Sequence, residues 1–126
     1  MTLPGSYNEE VRARFENPAH AGDIVGDYAE VITADVAESR QGARLVLCAG
    51  LNGGKIAALR FRVKGCPYLV AAAEVVCDSL EGGSTGRLAG VSALELKDRL
   101  AVPTGRMGRM LLVEDAARAL LESIGE

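Results

Sequence analysis

Lys64-Gly65-Cys66 is where this chain is expected to do chemistry. A strand-like run breaks at glycine and hands a thiol to the start of a long apolar helix. Helix N-termini carry partial positive charge and unpaired N–H groups, which bias a thiol toward thiolate, the form that binds metal or attacks electrophiles. The other two cysteines do not extend this site. Cys77 lies about three helical turns beyond Cys66, roughly 16 Å along the axis at ~1.5 Å per residue, too far to bind the same metal ion or small ligand. Cys48 stands mid-strand among Leu45, Val46, Leu47 and Ala49, and both it and Cys77 read as small apolar residues kept for packing.

Other candidate groups read as structural. His20 sits in a loop without metal-ligand spacing around it and is taken as a surface or capping side chain. Gly82-Gly83-Ser84-Thr85-Gly86 lacks the lysine and Ser/Thr of a phosphate loop, so it reads as a helix-ending loop. Arg60, Arg62 and Lys64 alternate along one strand face and form its solvated side. Glu114 and Asp115 are adjacent in a helix, do not face each other, and suit an early helical turn on dipole grounds alone.

The elements that position Cys66 follow from periodicity. Val11 and Phe15, four apart, mark a short amphipathic helix from Asn8 to Glu16, with Asn8 or Ser6 as its cap and Asn17-Pro18 as its end. Tyr28 to Val36 alternates as a strand with Tyr28, Ile32, Ala34 and Val36 on one side. Ala43 to Leu51 and Ile56 to Lys64 form a hairpin about Asn52-Gly53-Gly54, with Leu59, Phe61 and Val63 inward. Pro67 suits a first helical turn, and Tyr68 to Leu80 is a largely buried helix ended by Gly82. Ser92 and Glu95 make a capping box for a helix to about Leu100. The last helix starts near Arg109 and stripes Met110, Val113, Ala117, Leu120 and Ile124. Strands first and helices after give an α+β fold: a three-stranded antiparallel sheet with helices packed on one face.

Composition excludes several classes. The 126 residues, with 48% hydrophobic and 25% charged side chains, are read as one domain, 1–126, of an ordinary globule. A net charge of -3 gives no pull toward nucleic acid or anionic membrane, and no apolar run reaches a membrane span. Met1 to Ser6 lacks the parts of a secretory signal, and three cysteines without a close pair suit a reducing compartment, so a cytoplasmic location is expected. No catalytic constellation stands out, and the chain is read as a non-enzyme.

Four stretches together carry a resemblance: Phe15-Glu16-Asn17-Pro18-Ala19-His20-Ala21-Gly22 in the segment from Tyr7, the hairpin end Phe61-Arg62-Val63-Lys64-Gly65-Cys66, the small-residue helix from Ala71 to Leu80, and Glu114-Asp115-Ala116. In order and spacing the chain resembles the iron–sulfur cluster assembly scaffold family, of the IscU and N-terminal NifU type. The resemblance implies a three-stranded sheet packed by helices, an iron or iron–sulfur cargo, and a cysteine desulfurase or other assembly protein as partner. It also implies a site of three cysteines, an aspartate and a histidine, of which this chain keeps Cys66 alone. The first cysteine falls at Arg40 and the aspartate at Gly42, within a residue, and the histidine and last cysteine fall at Gly108 and Arg109. Arginine cannot shed its proton to bind iron, so Arg40 and Arg109 become anion-attracting neighbours of Cys66. The family's chaperone-recognition stretch reads Val102-Pro103-Thr104-Gly105-Arg106, with one proline and one basic residue kept. Two functions are compatible with these residues. One is a scaffold-like assembly protein with a degenerate site at Cys66, accepting sulfur or passing on a cluster that it holds weakly or shares with another chain. The other is a paralogue that binds no cluster and acts as an interaction or regulatory module.

Overall fold

Alternation along the strands decides which way the sheet faces. In the computed structural model, which describes residues 6–40 and 42–124, β1 (Glu30–Glu38), β2 (Ala43–Asn52) and β3 (Lys55–Lys64) pair antiparallel in that order. Leu45, Leu47 and Ala49 of β2 and Leu59 and Phe61 of β3 are buried, while the residues between them turn to the other face. The β2–β3 turn fits its sequence: Gly53 and Gly54 both take positive φ, +57° and +80°, which a two-residue hairpin loop with matching twist requires. One feature departs from simple alternation. Gly50 faces Ala58 but Leu51 faces Ile56, so Ala57 is an extra residue on β3. This bulge reverses the phase of the strand, and Ile56 and Leu59 are both buried although three apart. At the start of β1 the structure corrects the sequence reading: Tyr28 precedes the strand and lies over Gly50, where an added Cβ would come within 2.6 Å of its ring.

Helices α2 (Pro67–Leu80) and α4 (Met107–Ser123) pack on the inner face, with α1 (Glu9–Glu16) against α2, α3 (Ala93–Leu100) against α4, and short 3-10 turns at Thr85–Gly90 and Thr104–Arg106. α4 begins two residues before its expected start. Leu59 and Phe61 share one apolar cluster with Leu69, Ala73 and Val76 of α2 and Met110, Val113, Ala117 and Leu120 of α4, with Val63 and Ile124 half-buried at its rim. Two helix starts are fastened by side chains. Asn8 accepts from the Val11 N–H at 2.8 Å, and Ser92 accepts from the Glu95 N–H at 3.2 Å. Glu114 of α4 adds a third cap by accepting from the Ala93 N–H at 2.9 Å, which gives that acidic residue a packing role.

The open edge of β3 is covered. Phe61 donates its N–H to the His20 carbonyl at 3.1 Å and accepts from the Gly22 N–H at 2.9 Å, while the Ile56 N–H donates to the Gly83 carbonyl at 2.8 Å. An uncovered strand edge is a template for further pairing, and the loop through residues 20–22 removes that template here. No described helix is long and apolar enough to cross a membrane.

Candidate functional site

Cys66 stands where β3 hands over to α2. The register sets Arg44 opposite Lys64, and a Cβ built on Gly65 would lie 3.9 Å from Ala43 Cβ and 2.9 Å from Leu69 Cδ2. A side chain at residue 65 would therefore have to displace Leu69, and the β1–β2 turn is brought to the Cys66 end of the sheet. Cys66 is the N-cap of α2 in extended backbone, φ -81° and ψ 166°, and its carbonyl accepts from the Leu69 and Val70 N–H groups at 3.0 and 3.3 Å. Its side chain makes no capping hydrogen bond, and no acidic residue stands in the first turn. The thiol is half-buried and packs against the rim of the apolar cluster.

Its surroundings include residues that the sequence reading did not assign to the site. The ring of Tyr68 packs on that of Tyr7 with centroids 4.9 Å apart and planes tilted by 47°. Burial pushes the Tyr68 hydroxyl above its ordinary range, Tyr7 and Cys66 push the same way, and Arg106 opposes them. One phenol is thus within electrostatic reach of Cys66, of Tyr7 before α1, and of Arg106 at the cap of α4. The available signal was position: Tyr68 follows Cys66 by two residues in the same first turn, and Tyr7 opens the stretch that carries the family resemblance.

The lost-ligand positions fall in different settings. Arg40 is exposed in the β1–β2 turn, where its backbone N–H donates to Glu38 at 3.0 Å. Gly42 follows at φ +69°, and Gly108 is exposed at the start of α4. Arg109 is buried, and its Nε has no hydrogen-bond partner among the described residues. The other thiols do not complete a ligand set. Cys77 is fully buried within α2, and burial is the main push that carries its thiol far above the ordinary range. Cys48 corrects the sequence reading: it is half-buried on the outer face of the sheet, with Sγ 3.4 Å from Thr33 Oγ1, because the alternation of Leu45, Leu47 and Ala49 inward turns it outward. It lines a groove of about 310 Å³ with Arg44, Arg60, Arg62, Asp23 and Asp35, whose cations are already paired with carboxylates: Arg44 with Asp35, Arg60 with Glu81 and Arg62 with Asp23. One half-buried thiol is not the donor set of an iron–sulfur cluster, which is held mostly by thiolates.

A second polar group forms where the loop before β1 meets α2, and it corrects the reading of His20. That residue is tied down on both ring nitrogens, Nδ1 2.6 Å from Glu74 Oε2 and Nε2 3.2 Å from Glu81 Oε1, while its backbone N–H donates to Glu74 Oε1 at 2.7 Å. Glu74 is buried, and no spacing in the sequence links residues 20 and 74. His20, Glu74 and Asp78 could converge on a cation, but the Arg14 guanidinium sits 3.0 Å from Asp78 and 3.9 Å from Glu74 and supplies that charge. Glu81 closes the group onto the sheet. Burial raises its carboxyl, but the Leu59 N–H at 2.9 Å and the Arg60 guanidinium outweigh burial and hold it below its usual range. The network is a fastening between loop, helix and strand.

The comparisons agree with this architecture. A profile described as the NifU-like N terminal domain matches residues 6–123. The chain is 24% identical over 121 residues to Iron-sulfur cluster assembly protein 3 of Arabidopsis thaliana, covering 95% of this chain and 71% of that protein. Among solved structures it is similar to the N-terminal part of a nitrogen-fixing NifU-like protein from Brucella abortus, with a TM-score of 0.71 and 18% identity over 93% of this chain and 92% of that one. It is also similar to a protein named as a candidate iron–sulfur cluster assembly scaffold for the SUF system of the thermophile Fervidobacterium islandicum AW-1, with a TM-score of 0.73 and 16% identity over 91% and 96% of the two chains. With a family profile spanning nearly all the described residues and the same sheet and helices in its structural neighbours, the chain belongs to the NifU-like N-terminal domain family, the scaffold type that its sequence resembles.

Proposed function

We propose that this protein serves iron–sulfur cluster assembly as a scaffold-type member that receives sulfur on Cys66 and does not build a cluster alone. Support comes from its family, from the half-buried thiol at an uncapped helix start, and from the placement of Cys48 and Cys77 away from it. The observation that carries the reading is this isolation of Cys66. A lone accessible thiol cannot ligate a cluster, yet it suffices to accept one sulfur atom. In that step the Cys66 thiolate attacks the outer sulfur of a persulfide on a donor protein. A new S–S bond forms on Cys66, the donor's S–S bond breaks, and the donor leaves as thiolate, with no net oxidation. The chain turns over no substrate in this role, and its partners are a cysteine desulfurase and whichever assembly protein takes the sulfur onward.

The test is anaerobic incubation with a cysteine desulfurase and L-cysteine, followed by intact and peptide mass spectrometry. One added sulfur on Cys66 is expected, lost in Cys66→Ala and kept when Cys48 and Cys77 are both alanine. In parallel, reconstitution of the monomer with iron and sulfide should give no stoichiometric cluster absorption. A stoichiometric, Cys66-dependent cluster in the monomer would overturn the reading. Absence of both sulfur and cluster would leave the second reading, an interaction or regulatory module, which is supported by an arginine, Arg109, at the position where the resemblance implies the last cysteine, since a fixed positive charge repels iron.

A further inference from the structure

Two charged side chains are buried among the described residues, Glu74 and Arg109, and their situations are opposite. Glu74 receives the backbone N–H and the ring of His20. Arg109 is only 8% exposed, its Nε is buried without an acceptor, and it forms no ion pair among the described residues. Six other arginines, Arg14, Arg44, Arg60, Arg62, Arg99 and Arg118, do sit against carboxylates. Arginine keeps its charge at all relevant pH, and a buried charge without a partner is strongly disfavoured.

We infer that the start of α4 binds a compact oxyanion, held by the Arg109 guanidinium and by Arg106. The surroundings fit such a ligand. α4 is 17 residues long, its first turn contains no acidic residue, and no side chain caps it. Side chains in a helix lean toward its N-terminus, so Arg109 in the first turn leans toward the positive end of the helix dipole, where the Arg106 and Met107 N–H groups are bonded to the Pro103 and Thr104 carbonyls. Arg106, the N-cap residue three positions earlier, is exposed at the same helix start. An added Cβ on Gly105 or Gly108 would meet nothing within 4 Å, so the approach is open. A guanidinium fork at the positive end of a helix dipole matches phosphate, sulfate or carboxylate oxygens, and a bound anion would give Nε its acceptor and offset the charge. A cation is excluded by the same two arginines. The inference does not depend on sulfur transfer at Cys66.

Thermal unfolding of the full chain in phosphate, acetate or chloride, at matched pH and ionic strength, tests it. A saturable rise in Tm with phosphate or acetate over chloride is expected, and which anion is effective assigns the ligand's shape. Arg109→Met should abolish the saturable rise. Should that variant fold poorly, Arg106→Ala at an exposed position is expected to weaken the apparent affinity several-fold. Cys66→Ala should respond as the unaltered protein does, which separates this site from the sulfur reading. Equal Tm in all three salts, or a rise unchanged in both arginine variants, would overturn it.

Discussion

The four helix starts divide into two pairs. α1 and α3 begin at Asn8 and Ser92, whose side chains bond the first free N–H groups, and each carries acidic residues in its first turn, Glu9 and Glu10 or Glu95. α2 and α4 begin at Cys66 and Arg106, which make no such bond, and neither has an acid in its first turn. The first pair is built for stability: dipole, cap and charge agree. The second pair leaves its positive ends without an acid or a side-chain cap, and sets a thiol at one and two arginines at the other. The residual field that stability would have removed is what the proposed chemistry uses.

That division can be broken at the capped end first. Asn8→Ala is expected to cost ~1–2 kcal/mol, because it removes a cap and also the bond from Asn8 Nδ2 to the Arg99 carbonyl at 3.1 Å. A urea titration showing less than ~0.5 kcal/mol would mean that the caps do not separate the two pairs. At the uncapped end the sign should reverse. Cys66→Ser puts a favoured N-cap residue on α2 and is expected to gain about 0.5–1 kcal/mol while ending sulfur uptake. A loss of stability instead would show that the thiol is held by packing rather than kept for reaction.

The smallest effect concerns the other end of α2. Glu81 titrates below its ordinary value of 4.5 in the folded protein, with burial opposed by the Leu59 N–H and Arg60. The unfolded chain therefore binds the extra proton first, so this contribution is complete above pH ~4.5 and fades as pH falls through the lower folded value. Glu81→Gln is expected to flatten the decline in urea midpoint between about pH 6 and pH 3 by a few tenths of a molar unit, the remaining slope arising from Glu10 and Asp35, which their arginines also hold low. An unchanged slope would show that Glu81 does not fasten α2 to β3.

Much of this was legible in the sequence because it is local. The alternation of Leu59 and Phe61, the two glycines of the hairpin, the Ser92 cap and Pro67 after Cys66 each act within a few residues, and the fold assembled from them is the one observed. The bulge at Ala57 was not legible, since a single extra residue leaves no mark on the apolar pattern until its pairing partner is known. Burial of Glu74 was hidden because its partner lies 54 residues away. Arg109 could have been suspected: it precedes Val113 by one helical turn and so falls on the buried stripe, where a cation is out of place. Cys48 was misread by composition where counting alternate residues would have turned it outward.

The loop that seals β3 also bears on the order in which the molecule assembles. The bonds of His20 and Gly22 reach Phe61 and Glu74, which follow them by about forty and fifty-four residues in the chain. Contacts that close long stretches of chain form only after nearer ones have reduced the entropy of closure. The β2–β3 hairpin and α2 must therefore exist before residues 20–22 have anything to bind. During that interval the seal is missing, and the nascent sheet is most exposed to pairing with another copy of itself.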